Sequence, residues 1–565
     1  MSCPLMAELA LPVEILPADS PPGPRRELFA ALARIDGWGE LAWRETMGAW
    51  RVRGGALVLE RREGDDDPAC TLIADPGAVP AARDVGDAAA IADWALRRCW
   101  SDLLARCPIR ATADVPGTAV RALSGCHLDH GRLVVRLLVR LPFAGMCVDG
   151  TRFARFVRRC ESFLGGLAPD RELRDLRAAV AVQRALRAAL PTLGLIGFVG
   201  EGALLARGAD GSPAPGCRPL RVPRELAVTV DLGRHGKLRG LGIRRGITVV
   251  TGAPYHGKST LVQALAQGHE DHRPGDGRER VVADPSLLTV RAEDGRAIKS
   301  QDLRAFFAAL PGGDVRAFTT ARASGATSMA ASVLQGIAAG SRLLLIDEDA
   351  AAGNFLAIEP AMRQLLGRAL AGSTTLLEAL PALSAAGTSA VLAVGSSTRA
   401  FACADQVILL DRFQPRLVTA RARRLAGGRI GARGPVVVPG RRLVTTSDAL
   451  LGERHFLRVD AREPERPRLY FDARSVVLDL RRSGWELDEA VVRGALAGAA
   501  WCLRLARGKR LSVSELGARL RAHLDTHGPR GLDPFDTAFL ATPPWQLVVT
   551  VLERLPSIDL ISESP

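Results

Sequence analysis

The chain has 565 residues, 47% of them hydrophobic and 24% charged, and its 75 Lys and Arg against 61 Asp and Glu give a formal net charge of +14. This balance excludes an acidic disordered tail and a small disulfide scaffold, and the length points to several packed cores in roughly three or four domains. The longest apolar stretches, such as Leu133 to Val148 with Arg136 and Arg140 inside it, fall short of the roughly 20 apolar residues of a spanning helix, so no membrane association is expected.

The amino terminus, MSCPLMAELALPVEILPADS, has acids within its apolar run and no basic start, unlike a secretory signal, and a cytoplasmic location is expected. Short β-like runs at Trp50 to Leu59, Cys70 to Ala74 and Arg132 to Val139 mix with helical patterns such as Ala89 to Leu104, giving an α+β domain over residues 1–165. A connector follows over 166–218: Pro169 to Leu190 has the apolar spacing of an amphipathic helix, and GADGSPAPG closes the segment with turn-forming residues. Over 219–411, short apolar strands alternate with helical stretches (GITVVTG, STLVQALAQG, VVADP, SMAASVLQGIAAG, RLLLIDE, SAVLAVGSS, DQVILLD), the pattern of a parallel α/β sheet. Residues 412–446 hold nine arginines and no acid, and 447–565 read as a smaller α+β domain.

The ten cysteines, from Cys3 to Cys502, form no C-x-x-C pair, which predicts reduced, mostly buried thiols and no zinc site. Lysine is scarce: Lys237, Lys258, Lys299 and Lys509 are the only four. The position of each therefore carries information.

One of them lies in Gly252-Ala-Pro-Tyr-His-Gly257-Lys258-Ser259-Thr260, which satisfies G-x-x-x-x-G-K-[ST] between an apolar strand, Ile247 to Val250, and a helical stretch, Thr260 to Gln267. In that context backbone N–H groups cradle phosphates at a helix start, Lys258 reaches the β and γ phosphates, and the Ser259 hydroxyl takes Mg²⁺. The strand Leu343 to Ile346 ends in Asp347 and Glu348: Asp347 is the expected metal carboxylate and Glu348 the group that polarises attacking water. RASGATS, Arg322 to Ser328, opens the helix before that strand, and Ser324 with Gly325 is placed to cap it and to offer N–H groups to an anion.

With these motifs the chain resembles the predicted ABC-class ATPases. The resemblance extends through GLIGFVGEGALLARG, HRPGDGRERVVADP (His272 to Pro285), RAEDGR (Arg291 to Arg296) and LLIDEDAAAGNF (Leu344 to Phe355), and more faintly through RIDGWGELAW (Arg34 to Trp43) and GPRGLDPF (Gly528 to Phe535). It implies an ABC-type P-loop core working as a head-to-tail homodimer. Gly252, Tyr255, His256, Gly257, Lys258, Ser259 and Thr260 would hold ATP and Mg²⁺, and Ser324 and Gly325 of the second subunit would close over the γ-phosphate. Asn354 stands where such proteins carry a D-loop acid, and Glu293 or Asp294 lies in the region of a γ-phosphate-sensing loop.

There are departures. Ala326 and Thr327 replace the Gly and Gln of the transporter signature, Ser396 stands where a switch histidine is expected, and no aromatic occurs from Arg224 to Thr251 to stack on a base. The nine arginines Arg412, Arg416, Arg421, Arg423, Arg424, Arg429, Arg433, Arg441 and Arg442 are a candidate contact for RNA or another polyanion; a solvated linker is the alternative. The expectation is an ATP hydrolase coupled to domain movement, with a nucleotide-gated binding module of negligible turnover as its rival. A small-molecule kinase is disfavoured by the Ser-Gly segment.

Overall fold

The structure, a computed structural model, describes residues 23–60, 68–370, 372–429, 436, 438, 440–444, 458–471, 474–507, 509–533, 539–555 and 558–562. The chain divides into two compact units, Met1–Ala181 with His523–Thr542, and Val182–Ala522 with Pro543–Pro565. Each unit thus draws on the carboxy-terminal stretch. Cys3 and Arg433 lie outside the described residues.

In the first unit, helices α1 (Arg25–Ile35), α2 (Val85–Arg98) and α3 (Gly150–Gly165) accompany a six-stranded sheet. Its strands are β1 (Gly48–Val52), β2 (Gly55–Glu60), β3 (Ala69–Ala74), β4 (Ala111–Thr112), β5 (Cys126–Asp129) and β6 (Arg132–Val139), in the order β1-β2-β3-β6-β4 with β5 also on β6. Every pairing is antiparallel. Asp84 caps α2 by accepting from the N–H groups of Gly86 and Asp87, satisfying donors that a helix start leaves free. Among the described residues six cysteines are buried, four of them in this unit (Cys70, Cys99, Cys126 and Cys160), and burial pushes the Cys99 thiol up to about 12. The expected amphipathic helix is α4 (Arg171–Ala189).

The second unit holds two larger sheets. Strands β7 (Leu195–Gly200), β8 (Ala227–Asp231), β9 (Lys237–Arg244) and β11 (Val281–Ala283) form an antiparallel sheet in the order β8-β9-β7-β11. The other consists of β10 (Ile247–Thr251), β12 (Leu287–Val290), β13 (Leu343–Asp347), β14 (Ser389–Val394), β15 (Gln406–Asp411) and β16 (Gln414–Leu417), in the order β12-β13-β14-β10-β15-β16. All its pairings are parallel except the closing β15–β16 hairpin. Its central strands β10, β13 and β14 are nearly continuous apolar runs because both faces are covered. On β13, Leu344 and Ile346 join one core cluster with helices α6 (Gly325–Ala338) and α8 (Leu376–Ala385), while Leu343 and Leu345 join another with α5 (Lys258–Gln267) and the antiparallel sheet. This is the two-residue alternation of a strand. The short α7 (Gly353–Leu356) follows β13.

Beyond β16, residues 412–446 are more regular than a linker where they are described: α9 (Thr419–Leu425) and β17 (Arg441–Val444) lie within them. Helices α10 (Glu489–Ala506), α11 (Val513–His527) and α12 (Trp545–Arg554) follow, and β17 pairs with the last strand, β18 (Asp559–Ser562). Arg441 is 2% exposed and donates to both carboxylate oxygens of Glu553, at 3.1 and 2.8 Å, and to the carbonyl oxygen of Ser300 at 2.7 Å. Its assignment to a polyanion contact is therefore corrected: a guanidinium this deeply paired is not available to a backbone phosphate. Arg416 pairs with Asp411 and Arg429 with Asp405, and Arg423 donates to the carbonyls of Ala404 and Asp405. Arg412, Arg421 and Arg424 are exposed. Among the described residues no helix is long and apolar enough to cross a membrane.

The fully buried Leu392 of β14 sits in the centre of the parallel sheet. Leu392→Ala is expected to cost about 2–5 kcal/mol. Native-state hydrogen exchange should then accelerate across β10, β13 and β14, whereas unchanged exchange there would contradict the packing described.

Candidate functional site

The parallel register brings the carboxyl ends of three neighbouring strands level. Thr251 pairs with Val394 across β10–β14, and Asp347 with Ala393 across β13–β14. The segments that follow, 252–257, Glu348 and 395–397, therefore emerge together at the edge where open α/β sheets bind their ligands.

The loop after β10 needs its glycines. Gly252 has φ +150°, and a Cβ there would lie 2.4 Å from the Leu410 carbonyl oxygen; Gly257, at φ +96°, starts α5. A side chain at Gly257 would meet the Phe413 ring at 3.0 Å. Tyr255 adopts φ +62° and is 94% exposed, so its ring points to solvent from a conformation that L-residues avoid. Non-glycine residues held in that region cost of order 1–3 kcal/mol and cluster at functional sites. His256 faces inward: its Nδ1 lies 3.2 Å from the Leu410 carbonyl oxygen and 3.3 Å from the Arg412 amide. The ring thus ties the loop to the β15–β16 hairpin. Lys258 Nζ donates to the loop's own carbonyls, Gly252 at 2.9 Å and Ala253 at 3.1 Å. Ser259 and Thr260 lie in the first turn of α5, both partly buried.

Asp347, at the end of β13, accepts the Asp349 amide at 3.2 Å. The Glu348 carboxylate accepts from the amides of Gly395 at 2.6 Å and Ser396 at 2.9 Å, and from the Ser396 hydroxyl at 2.7 Å. Burial raises the pKa of Glu348, but the Ser396 hydroxyl and the amides of Ser396, Gly395 and Ser397 outweigh it and hold the carboxyl below its ordinary range. A Cβ on Gly395 would stand 3.6 Å from Lys258 Nζ and 3.9 Å from Glu348 Oε2. The cation of the loop and the carboxylate after β13 thus flank one glycine.

Ser324 is the N-cap of α6, with its Oγ accepting the Thr327 amide at 3.3 Å and lying 2.5 Å from the Thr327 hydroxyl. A Cβ on Gly325 would lie 3.1 Å from Asp294 Oδ1. Asn354 is exposed on α7. Glu293 is committed elsewhere: it is 7% exposed and receives both oxygens' bonds from Arg554, at 2.8 and 2.6 Å. Of the two carboxylates considered for phosphate sensing, only Asp294 is exposed. Two features escaped sequence reasoning: Phe413 beside Gly257, and the Ser396–Glu348 bond. The first is signalled only by the position of Arg412-Phe413 as the turn after DQVILLD; both residues have positive φ.

Among the described residues no group of three or more His, Cys, Asp or Glu is arranged to hold a metal. The oxygens of Ser259 and Asp347 are nevertheless hard donors of the kind Mg²⁺ takes when phosphates and waters complete its shell.

Residues 169–434 match the ABC_ATPase P-loop domain. An alignment over 188 residues that covers 31% of this chain is 35% identical to "Uncharacterized protein MJ1628" of Methanocaldococcus jannaschii, and it spans 41% of that relative's length. Among solved structures, cbiO1 of Clostridium perfringens, part of the ABC transporter complex cbiONQ, aligns at 14% identity and TM-score 0.24 over 40% of this chain and 88% of that one. The ATP-binding cassette MJ1267 in its ADP conformation aligns at 11% identity and TM-score 0.23 over 41% and 95%.

Because ionised Glu348 is favoured in the folded state, its contribution to stability is present above its unfolded pKa and is lost as pH falls through the lower folded value. Ser396→Ala removes one donor and should move that value back up. The wild type's advantage in melting temperature over Ser396→Ala should therefore be present at neutral pH and fade as the pH falls below the ordinary carboxylate range; a difference that persists once the carboxylate is protonated would mean it is not the partner.

Proposed function

We propose, since residues 169–434 are a P-loop domain of the ABC ATPase family, that the protein binds ATP with Mg²⁺ and hydrolyses it between two copies of the chain. The observation that carries this reading is the placement of Lys258 and Glu348 on either side of Gly395. On this reading the amides from Gly252 to Lys258, with Tyr255 and His256 shaping the loop, cradle the phosphates at the start of α5. Lys258 exchanges its bonds to the Gly252 and Ala253 carbonyls for the β and γ phosphates. Thr260 supports the same turn.

Ser259 and Asp347 would hold Mg²⁺, which supplies charge neutralisation at the phosphate oxygens when bound. Glu348 orients and polarises the attacking water. Ser324 and Gly325 of a second copy close over the γ-phosphate, Asn354 contacts across the same interface, and release after hydrolysis moves the terminal regions. Exposed Arg412, Arg421 and Arg424 support a polyanion partner, RNA among them, beside the net charge of +14.

The rival reading, a nucleotide-gated switch with negligible turnover, is favoured by one feature: three donors already hold Glu348 in its ionised, weakly basic form. Steady-state phosphate release decides between them. Charge-assisted hydrogen bonds are worth about 1.5–3 kcal/mol, so Lys258→Ala should weaken ATP binding by about 10- to 100-fold. Glu348→Gln should keep ATP affinity, lower phosphate release by about 10²- to 10⁴-fold, and accumulate an ATP-dependent dimer visible by light scattering. Wild type that binds ATP and releases no phosphate, with or without total RNA, leaves the switch in place of the hydrolase. Stimulation by RNA that weakens steeply with added salt would identify the polyanion.

A further inference from the structure

The turn 292–296 lies between three parts of the second unit. The Ala292 amide donates to the Ala350 carbonyl, just beyond Glu348, at 2.9 Å; the Gly295 amide donates to the Ala323 carbonyl at 2.8 Å, and the Ala323 amide to the Arg296 carbonyl at 2.8 Å. The turn is thus bonded both to the segment after β13 and to the residue before Ser324. Its third attachment is the ion pair between Glu293 and Arg554, the last residue of α12, with both side chains 9% exposed.

The bonds continue from this pair to the start of α6. Arg554 donates to the Glu293 carboxylate, the Glu293 amide donates to Ser328 Oγ at 2.9 Å, and the Ser328 hydroxyl donates to the Gly325 carbonyl at 2.9 Å. A second path runs through neighbouring groups. Arg441 and Gln335 both donate to Glu553, Gln335 at 3.0 Å, and Arg296 donates to Gln335 and, at 2.5 Å, to Ser332 Oγ. Ser328, Ser332 and Gln335 occupy successive turns of α6, and two adjacent residues of α12 reach them, Glu553 directly at Gln335 and Arg554 by way of Glu293 at Ser328.

This arrangement is not the cheapest way to bury α12. Arg554 Nε and Arg296 Nε are buried without a partner among the described residues, and incompletely satisfied ionic networks are costlier than apolar packing of the same volume. What such a network provides is position: the Arg554 guanidinium holds its own helix through Nη1 on the Thr550 carbonyl at 2.9 Å and turns Nη2 to both Glu293 oxygens, so its rigid plane fixes distance and orientation between α12 and the turn. Apolar contacts allow a helix to slide.

We infer that the Arg554–Glu293 pair is a positioning device through which α12 sets the Ser324–Gly325 end of α6, governing closure over nucleotide and leaving nucleotide capture at the loop alone. The inference rests on the proposed role of Ser324 and Gly325 in closing over the γ-phosphate. Arg554 and Glu293 touch no reacting group in this account.

The test uses the full chain and two readouts. Without nucleotide, hydrogen exchange over 325–335 is compared among wild type, Arg554→Lys and Arg554→Ala. Exchange there should accelerate by about tenfold or more in Arg554→Lys, and further in Arg554→Ala, with peptides from β10 and α5 unchanged. Unchanged exchange over 325–335 would overturn the inference. Arg554→Lys keeps the charge and carries the test if Arg554→Ala does not fold.

In a Glu348→Gln background with ATP and Mg²⁺, Arg554→Lys should leave the Kd for a fluorescent ATP analogue within about twofold and weaken the dimer by about tenfold or more. Equal loss of nucleotide affinity, or a dimer as tight as its parent, overturns the inference. If Glu348→Gln binds ATP and forms no dimer at all, the dimer reading fails, and the exchange comparison still decides whether Arg554 positions α6. On adding ATP to the Glu348→Gln protein, 325–335 and 545–555 should change protection together; a change confined to 325–335 also counts against the inference.

Discussion

The parallel register of β10, β14 and β13 is the constraint on which the rest depends. With Thr251 opposite Val394 and Asp347 opposite Ala393, the phosphate loop, the Gly395–Ser396 turn and the Asp347–Glu348 pair leave the sheet at one level. A slip of one residue would turn every side chain of a strand to the other face. That slip is opposed by both cores at once, because Leu343 and Leu345 pack on one side while Leu344 and Ile346 pack on the other. The geometry of the site is therefore held by hydrophobic burial at residues that take no part in its chemistry.

The meeting of Lys258 and Glu348 around Gly395 has an electrostatic consequence. Donors aimed at the ionised form of Glu348 keep it charged, and a carboxylate held below its ordinary pKa is a weaker base. Where a histidine was expected, Ser396 supplies a hydroxyl and an amide that both point at this carboxylate. The serine thus restrains Glu348 and brings no charge of its own. For the proposed hydrolase, Glu348 must exchange some of these bonds for a water, and that exchange is a natural place for turnover to be slowed. The same geometry serves the nucleotide-gated reading without any exchange.

The elements that carry the site were legible because their signals are local. Gly252 to Thr260 combines strand, glycines, lysine and helix in one short stretch, and Ser324 caps α6 as its position before SMAASVLQG suggests. What stayed hidden depends on distant pairing. Arg441 looked like one more charge in a basic run, yet its partner Glu553 lies 112 residues away; Glu293 looked available to a phosphate, yet Arg554 lies 261 residues away. Charge composition alone cannot separate a solvated arginine from one buried against a remote carboxylate. The assignment of His523–Thr542 to the same unit as the amino-terminal sheet was unreadable for the same reason, since its contacts, such as the Ser124 amide on the Leu540 carbonyl at 2.8 Å, join residues far apart in sequence.

These remote pairs also differ in kind from the packing around them. β13 and α6 share one hydrophobic core, whose contacts have no direction, and the strands are locked besides by their parallel backbone ladder. The Glu293, Gln335 and Glu553 contacts are directional hydrogen bonds in a buried setting, where a small displacement loses most of the interaction and strands a polar group. Beyond the apolar core that it shares with the sheet, α6 is therefore tied through Gln335 and Ser328 to groups whose bonds depend on its exact position. Because Ser324 and Gly325 stand at the start of that helix while Lys258 and Glu348 follow β10 and β13, the groups proposed to close over nucleotide answer to these directional bonds, and those proposed to hold it answer to the register of the strands.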